Sequence, residues 1–209
     1  PFSLNSRLGR FKLGFGEETL SDNSVEGFLP SNSAGKVGVS DEGVELNGKI
    51  KLENFGLSPL GWVISVSDGN SVVGSDTSTG KAAMGKLYYT PFEPLYLSVN
   101  YYDSGRLKAS NSEMSIAGLA TRPTGATNWR RTVWEADARY DFGKGKKPLN
   151  PPAYSDSKAI ARISYGQFTD NATVNPAGVT RAGDFGFVDG IYNFNKKLYS
   201  ERYKVERTF

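Results

Sequence analysis

Apolar and polar residues alternate along most of this chain, and the period is two. In residues 10–15, Phe11, Leu13 and Phe15 fall on one face and Arg10, Lys12 and Gly14 on the other. In 44–52, Val44, Leu46, Gly48, Ile50 and Leu52 alternate with Glu45, Asn47, Lys49 and Lys51. The same rhythm marks 62–67, 83–90, 95–102, 161–166 and 189–194. It is longest in 131–142, where Thr132, Trp134, Ala136, Ala138, Tyr140 and Phe142 alternate with Arg131, Val133, Glu135, Asp137, Arg139 and Asp141. A last segment, 199–209, carries charge on both faces. Successive side chains of a strand point to opposite sides, so the pattern predicts about nine β-strands. A helix over 131–142 would scatter its charges around the cylinder, and the recurring Gly and Pro would break helices. The chain is therefore expected to be all-β, an antiparallel up-and-down β-barrel forming one domain over residues 1–209.

The links between these strands alternate in character. Counted from the first strand, the odd links are long and polar: 17–41, 68–80, 103–128 and 169–184. The even links 54–61, 91–94 and 195–197 are short. The exception is 143–158, where Lys144, Lys146, Lys147 and Lys158 surround Pro148, Pro151 and Pro152. Long loops would gather at one end of the sheet and tight turns at the other, the asymmetry of a transmembrane barrel. A soluble lipocalin-like barrel also meanders, without needing that asymmetry. Phe55, Trp62, Tyr89, Phe92, Tyr140, Phe142, Tyr154, Tyr192 and Phe194 lie beside even links. They form a candidate aromatic girdle at a membrane interface; in a soluble barrel they would be ordinary end packing.

The two rows differ sharply in charge. One carries small, aliphatic and aromatic residues. The other carries Arg10, Lys12, Glu45, Lys49, Lys51, Lys86, Arg131, Glu135, Asp137, Arg139, Asp141 and Arg162. In a soluble sheet the charged row is the wet outside. In a membrane barrel it lines a water-filled lumen while the apolar row meets lipid. The alternation in 44–52 and 131–142 lasts for the ~9–11 residues of a membrane strand, beyond the ~5–6 of a soluble one.

Composition narrows the chemistry. The 209 residues contain no Cys and no His, which removes thiol and imidazole catalysis and the common zinc sites. Glycine is high, at 24 residues. A balance of 25 basic against 22 acidic residues gives no footprint for nucleic acid. No apolar run reaches the ~20 residues of a membrane helix. Glu135 and Asp137 share a face, but Arg131 and Arg139 would keep both ionised, so no enzyme activity is expected. The runs beginning Asp68-Gly-Asn-Ser and Asp170-Asn-Ala-Thr lack full calcium-loop spacing and read as turns. No metal or cofactor is expected.

Three stretches carry a family resemblance: 85–102 (GKLYYTPFEPLYLSVNYY), 134–142 (WEADARYDF) and 189–199 (DGIYNFNKKLY). Together they make the chain resemble a segment of a Gram-negative outer-membrane porin. The resemblance implies passive diffusion of small hydrophilic solutes or ions, outer-membrane lipid and lipopolysaccharide as surroundings, and a homotrimer. It also implies an eyelet in which cationic and anionic walls face each other, with Arg131, Arg139 and Arg162 as a mildly basic wall. Bacterial single-chain barrels have even strand numbers. The odd count of nine, the opening at Pro1 and the missing leader lead to the expectation of a segment of a larger barrel of ~16–18 strands. Two other readings remain open: a soluble β-sandwich or barrel that binds carbohydrate, and a membrane barrel with a scaffolding role.

Overall fold

The computed structural model describes residues 2–16, 40–52, 55–69, 80–92, 94–108, 126–142, 159–174 and 178–192. Eight long strands make one antiparallel sheet: β1 (Phe2–Lys12), β2 (Ser40–Ile50), β3 (Leu60–Ser67), β4 (Ala82–Phe92), β5 (Leu95–Asp103), β7 (Ala126–Phe142), β8 (Ala159–Val174) and β9 (Gly178–Tyr192). The two-residue strand β6 (Leu107–Lys108) pairs with β7. The sheet order is β1-β2-β3-β4-β5-β7-β8-β9, so each long strand pairs with its neighbours in the chain. The all-β, up-and-down architecture read from the alternation is the one found. The sheet is not closed into a barrel; among the described residues β1 and β9 are its edges.

The sheet is strongly curled. β1 and β5 are four strand spacings apart, ~19 Å along a flat sheet. Yet Phe15, three residues beyond the end of β1, packs edge-on against Tyr102 of β5 with ring centroids 6.4 Å apart. Three residues reach only ~10 Å, so the chain crosses the concave side as a chord. One apolar cluster there joins Phe11, Leu13 and Phe15 to Ala82, Met84, Tyr102, Val133 and Phe185. Glycines help the curl by leaving room for rings on the neighbouring strand. A Cβ on Gly61 would fall inside the ring of its cross-strand partner Tyr88.

Four expectations change. The first strand is Phe2–Lys12 rather than 10–15, and its faces are reversed. Phe11 pairs with Asp41 on the buried side, whereas Arg10 alternates to the other face. Strict alternation does not say which face turns inward; the register with β2 decides it, and puts Arg7 beside Glu45. The link 169–184 is mostly strand, since β8 runs to Val174 and β9 starts at Gly178. The link 103–128 likewise gives Ala126 onward to β7. These extensions are mostly polar, with Trp129, Val174 and Val179 isolated among polar residues, which erases the alternation by which a strand is recognised. Finally β2 ends at Ile50, leaving Lys51 beyond the strand. Segment 199–209, the basic proline-rich link, Tyr154 and Phe194 lie outside the described residues.

Candidate functional site

Polar and apolar residues are distributed opposite to their usual places. The concave side of the sheet buries charge. Arg131, Arg139 and Glu45 are each 1% exposed and Glu135 is fully buried; Lys86, Asp137, Arg162 and Asp170 are buried with them. The convex side exposes Leu4, Val44, Leu46, Ile64, Leu87, Val99 and Ile163. Charged residues are ordinarily the last to be buried and branched aliphatics among the first.

The register shows how the convex belt is assembled. One row across the eight long strands reads Phe2, Ile50, Leu60, Tyr89, Leu97, Ala138, Ile163, Val188. The next reads Leu4, Gly48, Trp62, Leu87, Val99, Ala136, Tyr165, Gly186. Neither contains a charge. Leaving half of a Leu or Ile side chain in water forgoes ~1 kcal/mol. Over the whole belt that exceeds the ~5–15 kcal/mol by which a domain is stable. An exposed apolar surface of this extent is larger than soluble monomers ordinarily carry and marks an interaction surface.

The belt also runs obliquely. At β1–β3 its upper limit is the row of Leu8, Val44 and Val66. On β7 that row holds Thr132 and the limit drops to Trp134; on β8 it drops to Tyr165, next to Gln167. On β9 Asp184 lies above and Val188 within. A drift of two to three rows over seven strand spacings is ~14–20 Å against ~34 Å. The inclination is roughly 22–30°, in the sense of but below the ~35–45° tilt of strands in a closed barrel. From Trp134 to Phe142 the belt spans 9 residues of β7, ~19 Å in height at 45° tilt, somewhat less than the ~25 Å apolar band of transmembrane barrels.

Aromatic residues border the belt at both limits. Phe92, Tyr140 and Phe142 are exposed at the short-turn end, with the rings of Tyr140 and Phe142 4.7 Å apart. Phe55 is exposed in the turn between β2 and β3, and Tyr89 is half-buried one row inward. Trp62 lies one row deeper, stacked on Phe2 at 6.3 Å. The side chain of Tyr192 is not among those described. A second group was not anticipated: Tyr101, Trp134 and Tyr165, toward the long-link end. Trp134 and Tyr165 meet edge-to-face at 5.7 Å. Trp134 Nε1 donates to Gln167 Oε1 at 3.1 Å, while Gln167 Nε2 donates to Tyr165 Oη at 3.3 Å and Asp184 Oδ1 at 2.8 Å. Rings in the apolar rows with polar tips turned to a hydrophilic border are the signal that could have found this group.

The inner wall is held by specific pairs. Arg131 Nε and Nη2 donate to the two oxygens of Asp170 at 2.6 and 2.8 Å, and its guanidinium lies 5.2 Å from the Phe168 ring. Arg139 Nη2 donates to Asp141 at 2.9 Å and sits over Tyr96. Arg162 sits over Phe187. Asp137 Oδ2 accepts from Ser98 Oγ at 2.8 Å and from Asn100 Nδ2 at 2.7 Å. Arg7, absent from the charged row read in the sequence, donates to Glu45 from Nε at 2.9 Å. Asn47 Nδ2 adds a bond to the same oxygen at 3.0 Å. Asp137 Oδ1, Glu45 Oε2, Ser65 Oγ and Ser164 Oγ have no protein hydrogen-bond partner, and a wet interior is what satisfies such atoms.

Among the candidate lining residues, the fold thus gathers Glu45, Lys86, Arg131, Glu135, Asp137, Arg139 and Arg162 on one concave wall. Lys49 shares their face near the short-turn end but is exposed. Arg10 and Lys12 alternate to the other face of β1, and Lys51 is exposed just beyond the end of β2. Asp170, read as part of a turn, is instead the partner of Arg131. Asp68 Oδ1 accepts from Lys81 Nζ at 2.6 Å. Among the described residues no group of three or more carboxylates is placed to hold a metal.

Comparison with protein-family models, with curated proteins and with solved structures finds no match.

Proposed function

We propose that this chain forms the wall of a porin-like channel in the bacterial outer membrane, passing small hydrophilic solutes or ions by diffusion. The observation that carries this reading is the inverted burial: an inner wall of Arg, Lys, Asp and Glu behind a continuous uncharged outer belt. Lipid tails cover the belt, lipopolysaccharide and lipid headgroups meet its aromatic borders, and the charged wall faces water. Assembly as a homotrimer follows from the porin resemblance and belongs to the same proposal. The wall's cations, Lys86, Arg131, Arg139 and Arg162, alternate with Glu45, Glu135, Asp137 and Asp170, so selectivity is mild.

The apolar cluster on the concave side favours one second reading, a filled barrel that holds other components and passes nothing. One experiment separates the two. The protein is extracted in detergent, checked for heat-modifiable mobility, and inserted into a planar bilayer under a salt gradient. Discrete conductance steps with a small reversal potential support the channel. Folded, inserted protein without current supports the scaffold. Monodisperse behaviour without detergent defeats both.

A further inference from the structure

On leaving β1 the chain crosses the concave face. Leu13 is 1% exposed and Phe15 is fully buried, and both join the cluster of Met84, Tyr102, Val133 and Phe185. Gly16 takes a φ of +69°, a left-handed turn that glycine makes without steric cost. Between them, the backbone is gripped from the opposite wall. Lys86 Nζ donates to the carbonyl of Gly14 at 3.1 Å and to that of Gly16 at 2.9 Å. The ammonium also lies 5.9 Å from the ring of Tyr96. A lysine 4% exposed keeps its charge inside a protein only where acceptors surround it. Here two of them are carbonyls of a segment 70 and 72 residues away in sequence, so the cation spans the concave space.

We infer that residues 13–16 form an apolar strap across the channel, latched to the wall by Lys86, and that this strap is its constriction. The inference rests on the channel reading. An apolar constriction excludes water from the narrowest point and stops ions by dewetting. With the strap seated the path is closed or poorly conducting; release of the Lys86 latch lets Leu13 and Phe15 withdraw and the path fill with water. Gly14 and Gly16 flank Phe15, and glycine gives the backbone the conformational freedom such a release requires.

The natural chain has no cysteine, so a single Phe15→Cys thiol reports the strap. Its reaction with a charged, membrane-impermeant thiol reagent is timed on folded protein in vesicles, in three backgrounds: Lys86, Lys86→Met and Lys86→Arg. Met keeps the length and removes the donors; Arg keeps the donors. Leu13→Cys and Lys86→Gln serve as the second probe and second variant where the first fails to fold. The expected result is protection with Lys86, about tenfold or more faster labelling with Met, and protection restored by Arg. The fraction of time conducting in a bilayer should rise with Met and return to the Lys86 level with Arg. Equal labelling rates with Lys86 and Met overturn the latch. Protection that depends on Lys86 without current in any background overturns the constriction together with the channel reading, and leaves the strap as an internal brace.

Discussion

Arg131 on β7 and Asp170 on β8 face each other across the sheet and join through two parallel hydrogen bonds, at 2.6 and 2.8 Å, on the buried concave side. The pair is bidentate and capped by the Phe168 ring. Such a pair adds little over an apolar filling of the same volume, but removing one partner strands the other charge. Asp170→Asn should therefore destabilise the folded protein by ~3–5 kcal/mol. Replacing Arg131 and Asp170 together with Leu and Val should recover most of that loss. Urea unfolding in lipid vesicles measures both. Equal stability of Asp170→Asn and the parent would mean the charge is solvated and the wall open at that level.

Gly61 and Tyr88 make a second kind of tie. The ring of Tyr88 covers the space where a Gly61 side chain would stand, then stacks on Tyr96 at 6.0 Å. Gly61→Ala forces the ring away and should cost ~1–3 kcal/mol. In a Tyr88→Ala background the same substitution should cost almost nothing. An unchanged penalty in that background would place the strain in the backbone rather than the ring.

The oblique belt makes a prediction about depth. Trp134 borders the belt at the long-link side, with its indole N–H held by Gln167, whereas Trp62 lies among Leu87 and Gly48. In single-tryptophan variants reconstituted in brominated lipids, bromine high on the acyl chain should quench Trp134 more than bromine near its end. Both indoles should resist aqueous iodide. Strong iodide quenching of both with none from bromolipid would remove the lipid from the outer face.

The wall's charge can be read electrically. Arg139 and Arg162 are paired residues on adjacent strands, both buried on the concave side. Replacing both with Gln leaves Asp141, the ion-pair partner of Arg139, with Glu135 and Asp137 on the same wall. The ratio of anion to cation permeability should fall ~5-fold, the effect of ~1 kcal/mol from charge interactions in a wet lumen. Reversal potentials in a salt gradient measure it. A ratio that stays put would show that these arginines brace the wall without facing the permeant path.

Much of this was readable along the chain because a strand in a wall with one apolar face repeats every two residues. Segments 83–90, 95–102 and 131–142 were placed on strands, with Glu135, Asp137 and Arg139 together on one face, from alternation alone. The reading failed where alternation carries less information. Along β1 the apolar positions change face: Leu4 and Leu8 share one face with Arg10 and Lys12, and Phe11 shares the other with Arg7, so a pattern that starts at Phe11 puts Arg10 and Lys12 where Arg7 stands. Along 169–184 apolar residues are few and do not alternate, so strand resembles loop and Asp170 resembles a turn residue.

The sequence by itself determined the all-β class, the up-and-down order of strands and the separation of an uncharged row from a charged one, because these are local consequences of side-chain periodicity and short links. Only the tertiary structure decided which row is concave, that Arg131 meets Asp170, that Trp134 meets Tyr165, and that Lys86 reaches back to Gly14 and Gly16. Each of these depends on register and curl, which join residues far apart in the chain, and no local pattern encodes the sign of a sheet's curvature.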